Sequence, residues 1–83
     1  LRYSEKNTVN SIVYPNPTHG SVTVLVGDNS LVGSVADLYD INGRLLESIK
    51  ITANSQLVNM SKYVNGVYII RLSNKEVLKV IKN

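Results

Sequence analysis

Residues whose side chains could carry out chemistry are few in this 83-residue sequence. It contains no cysteine and one histidine, His19, which stands in a Thr-His-Gly segment. A zinc site needs several nitrogen, sulfur or carboxylate ligands, and a nucleophile needs a neighbouring base. No Gly-x-Ser-x-Gly segment marks a serine nucleophile either. The sequence therefore predicts no catalytic site, no metal and no cofactor, and we expect His19 to be an exposed turn residue.

The segment Asp-Ile-Asn-Gly over residues 40–43 is similar to the start of a calcium-binding loop. In an EF-hand the loop ends on a glutamate at position 12, and counting from Asp40 that position is Ile51. We expect instead that Asp40 accepts hydrogen bonds from backbone N–H groups in the turn. Gly43 would supply a positive φ, which glycine adopts without steric cost.

The composition of the chain favours strands as the elements that hold these residues in place. Hydrophobic residues make up 43% of the chain, and most are valine, isoleucine and leucine, which favour β structure. No helical period is visible, and 83 residues suffice for one domain. We predict an all-β domain, a seven-stranded immunoglobulin-like antiparallel β-sandwich. Its strands are expected at residues 9–14, 20–26, 34–40, 44–51, 56–60, 67–72 and 76–82.

Alternation within the strands predicts which side chains share a face, and we expect the ring of Tyr68 to pack in the core. One row of the second strand holds Val22, Val24 and Val26, and one row of the sixth holds Tyr68, Ile70 and Leu72. Two Asn-Gly pairs predict turns. Residues 42–43 are expected to form a two-residue type I′ hairpin, and residues 65–66 the pivot of a compact connection.

The only two prolines stand one residue apart, in Tyr-Pro-Asn-Pro at residues 14–17. Proline lacks an N–H group, so this segment cannot continue a ladder of strand pairing. We expect a stiff corner between the first two strands that blunts a sheet edge, with Asn16 capping its own turn. Whether the corner is only structural or is itself recognised stays open.

The net charge is +3, and residues 71–83 contain four basic residues and one acidic residue. A basic segment can bind nucleic acid or acidic lipid, but these charges occupy the polar positions of an alternating strand. We therefore predict no nucleic-acid partner, and no apolar run is long enough to span a membrane. Exposed tyrosines could stack on sugar rings, which keeps a carbohydrate-binding alternative open. The candidates are Tyr3, Tyr39 and Tyr63.

Four segments in order carry a family resemblance: YPNP, DINGRLL, NGVYIIRL and EVLKVIKN. Together they resemble the type A C-terminal sorting domain of type IX secretion, found at the ends of exported proteins of Bacteroidota. The resemblance covers residues 9–83, which leaves residues 1–8 as a linker or leading tail. The family pattern falls on Pro15, Asn16, Pro17, Asp40, Gly43, Gly66, Tyr68, Lys79, Val80, Ile81 and Lys82.

The resemblance implies a sorting role and no reaction. Such a domain follows an N-terminal cargo domain, is recognised in folded form by the type IX outer-membrane machinery, and is commonly cleaved off by a sortase-like cysteine peptidase. The cargo, having passed the periplasm and outer membrane, is then secreted or held at the cell surface. On this interpretation residues 1–8 hold the cleavage site. The alternative is a carbohydrate-binding or fibronectin-like accessory module of an extracellular enzyme.

The last strand is the element that we expect the secretion receptor to bind. At a sheet edge it would present unpaired backbone groups for strand addition, together with the basic side chains of Lys79 and Lys82.

Overall fold

The computed structural model describes residues 10–83, which form seven strands and one short 3-10 helix, Asn29–Leu31. The strands are β1 (Ile12–Tyr14), β2 (Ser21–Leu25), β3 (Val35–Asp40), β4 (Leu45–Lys50), β5 (Ser55–Asn59), β6 (Gly66–Arg71) and β7 (Val77–Lys82). One sheet has the strand order β1-β2-β5 and the other the order β4-β3-β6-β7, with every neighbouring pair antiparallel. The prediction of a seven-stranded immunoglobulin-like sandwich is thus confirmed, while the predicted linker, residues 1–8, lies outside the described residues.

The core lies between the two sheets, where alternate residues of each strand meet. On β2 Val22 and Val24 are at most 1% exposed, and on β6 Ile70 is fully buried. The members of each predicted row do share a face, and both rows point inward. Tyr68 is buried, as expected, and so is Leu72. Because side chains alternate along a strand, each buried residue leaves its neighbour on the outer face of the sheet. The other buried apolar residues are Val26, Leu31, Ala36, Leu38, Ile51, Val58, Met60 and Val80. Within residues 10–83 no helix is long and apolar enough to cross a membrane.

The hairpin between β3 and β4 differs from the predicted type I′ turn. Gly43 N–H donates to Asp40 O at 3.0 Å, and Asp40 N–H donates to Arg44 O at 3.0 Å. Gly43 has φ 84°, whereas Asn42 is not among the described residues with positive φ. This is a three-residue loop with glycine in the left-handed position, the arrangement that ends in a bulge. The register of the pair also shifts between Leu38 and Tyr39.

The hairpin between β6 and β7 repeats this loop without glycine. Leu72 N–H donates to Glu76 O at 2.9 Å, and Lys75 N–H donates to Leu72 O at 2.9 Å. Lys75 therefore occupies the left-handed position, with φ 75°. An L-residue with a side chain reaches this region at a cost that glycine avoids.

A buried serine links β1 to the beginning of β7. Ser11 is 4% exposed, and its N–H and hydroxyl groups donate to the two carboxylate oxygens of Glu76 at 3.0 and 2.8 Å. The Ser11 hydroxyl also accepts from Gly27 N–H at 2.9 Å. Burial raises the pKa of Glu76, but hydrogen bonds from Asn74 and Ser11 outweigh it and hold the pKa below its ordinary value.

Candidate functional site

The Pro-Asn-Pro segment lies against the outer edge of β7, the edge that faces away from β6. Asn16 Nδ2 donates to Lys79 O at 2.8 Å, and Ile81 N–H donates to Asn16 Oδ1 at 2.9 Å. A side-chain amide carries one acceptor and two donors, so it pairs with a strand as a peptide group does. The expectation that Asn16 caps its own turn is therefore wrong, because its amide is engaged by β7. We call these two hydrogen bonds the asparagine clamp.

Thr18 continues the contact along the same edge. Its N–H donates to Ile81 O at 2.8 Å, and its carbonyl accepts from Asn83 N–H at 2.9 Å. The Thr18 side chain is 1% exposed, and its hydroxyl donates to Ser21 O at 2.7 Å. The edge of β7 from the Lys79 carbonyl to the Asn83 N–H is therefore occupied. This corrects the expectation that these backbone groups are presented to a partner.

The neighbouring turn residues are exposed, as predicted for His19. Its Nδ1 lies 3.4 Å from Asn83 O. Pro15 and Pro17 are exposed on either side of Asn16, and both of their peptide bonds are cis. Neither proline has an N–H group to donate, and the Asn16 side chain supplies the donor for the Lys79 carbonyl.

The two lysines of the terminal strand do not form one basic surface. Lys79 is exposed, whereas Lys82 is 8% exposed and places its Nζ 3.4 Å from Asn65 Oδ1. Side chains three positions apart in a strand point to opposite faces, so Lys82 lies on the inner side with Val80. Ile81 lies on the outer side with Lys79. The expectation that Lys82 is presented beside Lys79 is wrong for this reason.

The Asp40 turn has the hydrogen bonds that the sequence predicts, although its loop is one residue longer than predicted. The Asp40 carboxylate accepts from the N–H groups of Asn42 and Arg44, each at 2.9 Å, and pairs with Arg44 Nε at 3.3 Å. The hydrogen bond from the Arg44 backbone lowers the Asp40 pKa. Burial opposes it, but the Asn42 hydrogen bond and the Arg44 charge add to the lowering, and the pKa stays below its ordinary value. Gly43 has the expected positive φ. No cluster of metal-ligating side chains occurs within residues 10–83.

Two tyrosines stand beside this turn. The Tyr68 hydroxyl donates to Val64 O, and the Tyr68 ring lies 5.7 Å from that of Tyr63. The Tyr63 hydroxyl donates to Glu47, whose carboxylate also pairs with Lys62 Nζ at 3.1 Å. Burial and the adjacent Glu47 charge raise the pKa of Tyr63 to about 12. A hollow of about 260 Å³ lies between these groups, bordered by Asp40, Arg44, Leu46, Lys62, Tyr63, Val64 and Tyr68.

Pairing between strands brings the scattered family residues to one end of the four-stranded sheet. Gly66 lies opposite Lys82, and Tyr68 lies opposite both Val80 and Asp40. The prolines and Asn16 then lie on the outer edge of β7. Sequence reasoning missed Thr18 and Tyr63 as parts of this end, because neither stands at a patterned position of a strand.

The tyrosines considered for carbohydrate binding do not share a surface. Tyr63 packs against the core and Tyr68, whereas Tyr39 lies on the outer face of the four-stranded sheet, where it pairs with Ile69. Tyr3 lies outside the described residues. A sugar platform needs aromatic rings on one accessible face, and Tyr39 and Tyr63 lie on different faces. This geometry does not favour the carbohydrate-binding alternative.

Comparison with known proteins identifies the family. A family model described as a secretion system C-terminal sorting domain matches residues 12–83. Searches of curated proteins and of solved structures found no significant match. The family match spans all seven strands, the asparagine clamp and the Asp40 turn. The chain therefore belongs to the family of C-terminal sorting domains of type IX secretion.

Proposed function

We propose that this domain is recognised as a folded signal by the type IX outer-membrane machinery and directs an attached N-terminal cargo across the outer membrane. The recognised region comprises the clamp segment, the terminal strand and the Asp40 turn. The domain performs no reaction itself. The cargo reaches the cell surface or the medium by way of the periplasm.

The observation that carries this proposal is the asparagine clamp. The clamp joins Asn16 to residues 63 and 65 positions away, so the first and last segments of the family pattern meet only in the folded domain. An unfolded tail would carry the same residues without this juxtaposition. A receptor that binds the joined segments would thereby bind only domains that have folded.

The test is a reporter protein followed by residues 1–83, produced in a Bacteroidota strain with the type IX machinery and in one without it. We expect export only in the first strain, and reduced export for Asn16→Asp, which loses the donor to Lys79 O. The matched control is Asn59→Asp, because Asn59 Oδ1 accepts from Ser61 and a carboxylate retains that role. Equal export in the two strains would contradict the proposal.

In the same proposal a sortase-like cysteine peptidase cleaves within residues 1–8. This segment precedes β1, which begins at Ile12, so a cut there would leave all seven described strands intact. Mass spectrometry of the exported reporter should find a carboxyl end within residues 1–8. A surface reporter that still carries residues 10–83 would count against cleavage while leaving the sorting role intact.

A further inference from the structure

The outer face of the four-stranded sheet carries a continuous apolar surface. Leu45, Tyr39 and Ile69 form one row across β4, β3 and β6, because each lies opposite the next in the strand register. Val67 and Ile81 are likewise opposite each other on β6 and β7. Leu45 is 52% exposed, and the other four are half-buried on this face. We call this surface the outer β4–β7 face.

Three cations stand on the same face. Lys50 lies on β4, Arg71 on β6 and Lys79 on β7, and all three are exposed. Lys79 extends the row of Tyr39 and Ile69. The one carboxylate at an outward position of these four strands is Asp37, which accepts from Ser48 Oγ at 2.8 Å. The outer β4–β7 face therefore combines an apolar row with three cations and the single carboxylate of Asp37, which lies opposite Arg71 in the strand register, so the face is net basic.

The other sheet provides a contrast within the same molecule. Its outer face also exposes apolar side chains, including Ile12, Leu25 and Leu57 at 49%, 38% and 63%. The remaining outward positions of β1, β2 and β5 hold a tyrosine, serines, a threonine and an asparagine, none of them charged. Apolar exposure is thus common to both faces, and the combination with cations distinguishes the outer β4–β7 face.

We propose that the outer β4–β7 face is the surface by which the sorting domain docks on a protein of the export machinery, and that the partner presents apolar side chains bordered by carboxylates. This inference rests on the proposed sorting function. Complementary charge steers the encounter and fixes orientation, while the apolar row contributes contact area.

The dimensions of the face indicate a transient complex. Four strands at about 4.8 Å spacing and six residues at about 3.3 Å each give roughly 400 Å². Interfaces of this size belong to the weak, short-lived class, which suits a signal that must be released. An anionic membrane is a poorer match, since stable adsorption takes clusters of about four to eight basic residues and these three are spread over four strands.

The experiment measures export of the reporter followed by residues 1–83, with Arg71→Gln and Lys79→Gln together. Removing two ion pairs should lower export by about fivefold to thirtyfold. The matched control, Thr23→Glu with Ser55→Glu, changes the net charge by the same amount on the outer face of the other sheet, and export should stay within about twofold. Arg71→Lys with Lys79→Arg keeps both charges and should restore export. Thermal unfolding of the purified 83-residue chains checks that all variants fold.

Three outcomes would overturn the inference. Export of the glutamine variant at the unsubstituted level, while removal of residues 10–83 abolishes export, would refute docking here and leave the sorting function standing. An equal loss of export in the glutamine variant and in the Thr23→Glu, Ser55→Glu control would show that export depends on net charge and not on this surface. Sedimentation with vesicles containing about 30% anionic lipid, lost in the glutamine variant, would indicate a membrane in place of a protein. If removal of residues 10–83 leaves export intact, the sorting function itself fails.

Discussion

Replacing Asn16 by alanine should destabilise the domain by about 1–2 kcal/mol, because two hydrogen bonds to β7 are lost and each is worth about 1 kcal/mol net. Both bonds are exposed, so water can reach the Lys79 carbonyl and the Ile81 N–H after the change, and no larger penalty for buried unpaired groups is expected. For a domain of this size the loss corresponds to a fall of about 4–15 °C in Tm.

Urea unfolding followed by circular dichroism measures the change in stability, and hydrogen exchange of the Ile81 amide measures it locally. The exchange rate of that amide should rise by about fivefold to thirtyfold in Asn16→Ala. Asn16→Asp keeps the acceptor and should preserve protection of Ile81 while still losing the bond to Lys79 O. Asn54→Ala is the control, since it removes one exposed bond to Asn29 Oδ1 far from β7. An unchanged urea midpoint together with unchanged exchange at Ile81 would refute the role assigned to the clamp.

Four further substitutions test other parts of the molecule. Lys75→Gly should raise the free energy of unfolding by about 0.5–1 kcal/mol, because relief of the left-handed strain exceeds the entropic cost of glycine. Gly43→Ala should lower the free energy of unfolding by about 1–2 kcal/mol, because alanine is strained at this positive φ. The shift of the urea midpoint gives the sign of each change. Lys82→Met should leave the stability unchanged or raise it, since it removes a buried ammonium group and keeps the apolar stem. A marked fall in Tm would show that the hydrogen bond from Lys82 to Asn65 stabilises the fold by more than burial of the ammonium group costs. Glu76→Gln should cost about 1–2 kcal/mol at pH 7. The folded-state pKa of Glu76 is lowered, so its contribution to stability is present above the ordinary pKa of about 4.3 and is lost as the pH falls through the folded-state value. The difference in unfolding free energy between Glu76→Gln and the unsubstituted chain should therefore shrink towards pH 3. A difference that does not change with pH would contradict this reasoning.

The occupied edge also constrains how a partner can use the terminal strand. A partner that adds a strand to β7 between Lys79 and Asn83 must first displace Asn16 and Thr18. A partner that binds the outer β4–β7 face leaves the clamp in place. Asn16 variants loosen the segment that covers the edge of β7, whereas the Arg71 variant changes only the outer β4–β7 face. The two kinds of variant therefore distinguish strand addition at the edge from binding to the face.

Local sequence rules predicted most of the fold. The grouping of Val22 with Val24, or of Tyr68 with Ile70, depends only on the two-residue period of a strand, so the residues that share a face follow from their spacing along the chain. The hydrogen bonds of Asp40 were likewise predictable, since acceptor and donors lie within four residues. The turn type was not, because an Asn-Gly pair fits more than one loop length and the register of β3 against β4 decides between them.

Neighbours along the chain thus suffice to predict the number of strands in residues 10–83, the side chains that share a face, the hydrogen bonds of Asp40 and the family pattern. The spacing of Lys79 and Lys82 already implied opposite faces, but only the packing of the sandwich decided which lysine is buried. Tertiary structure alone decided the partners of Asn16. A side-chain amide can pair with its own turn or with any strand edge, and the closing of the two sheets brings the edge of β7 within its reach.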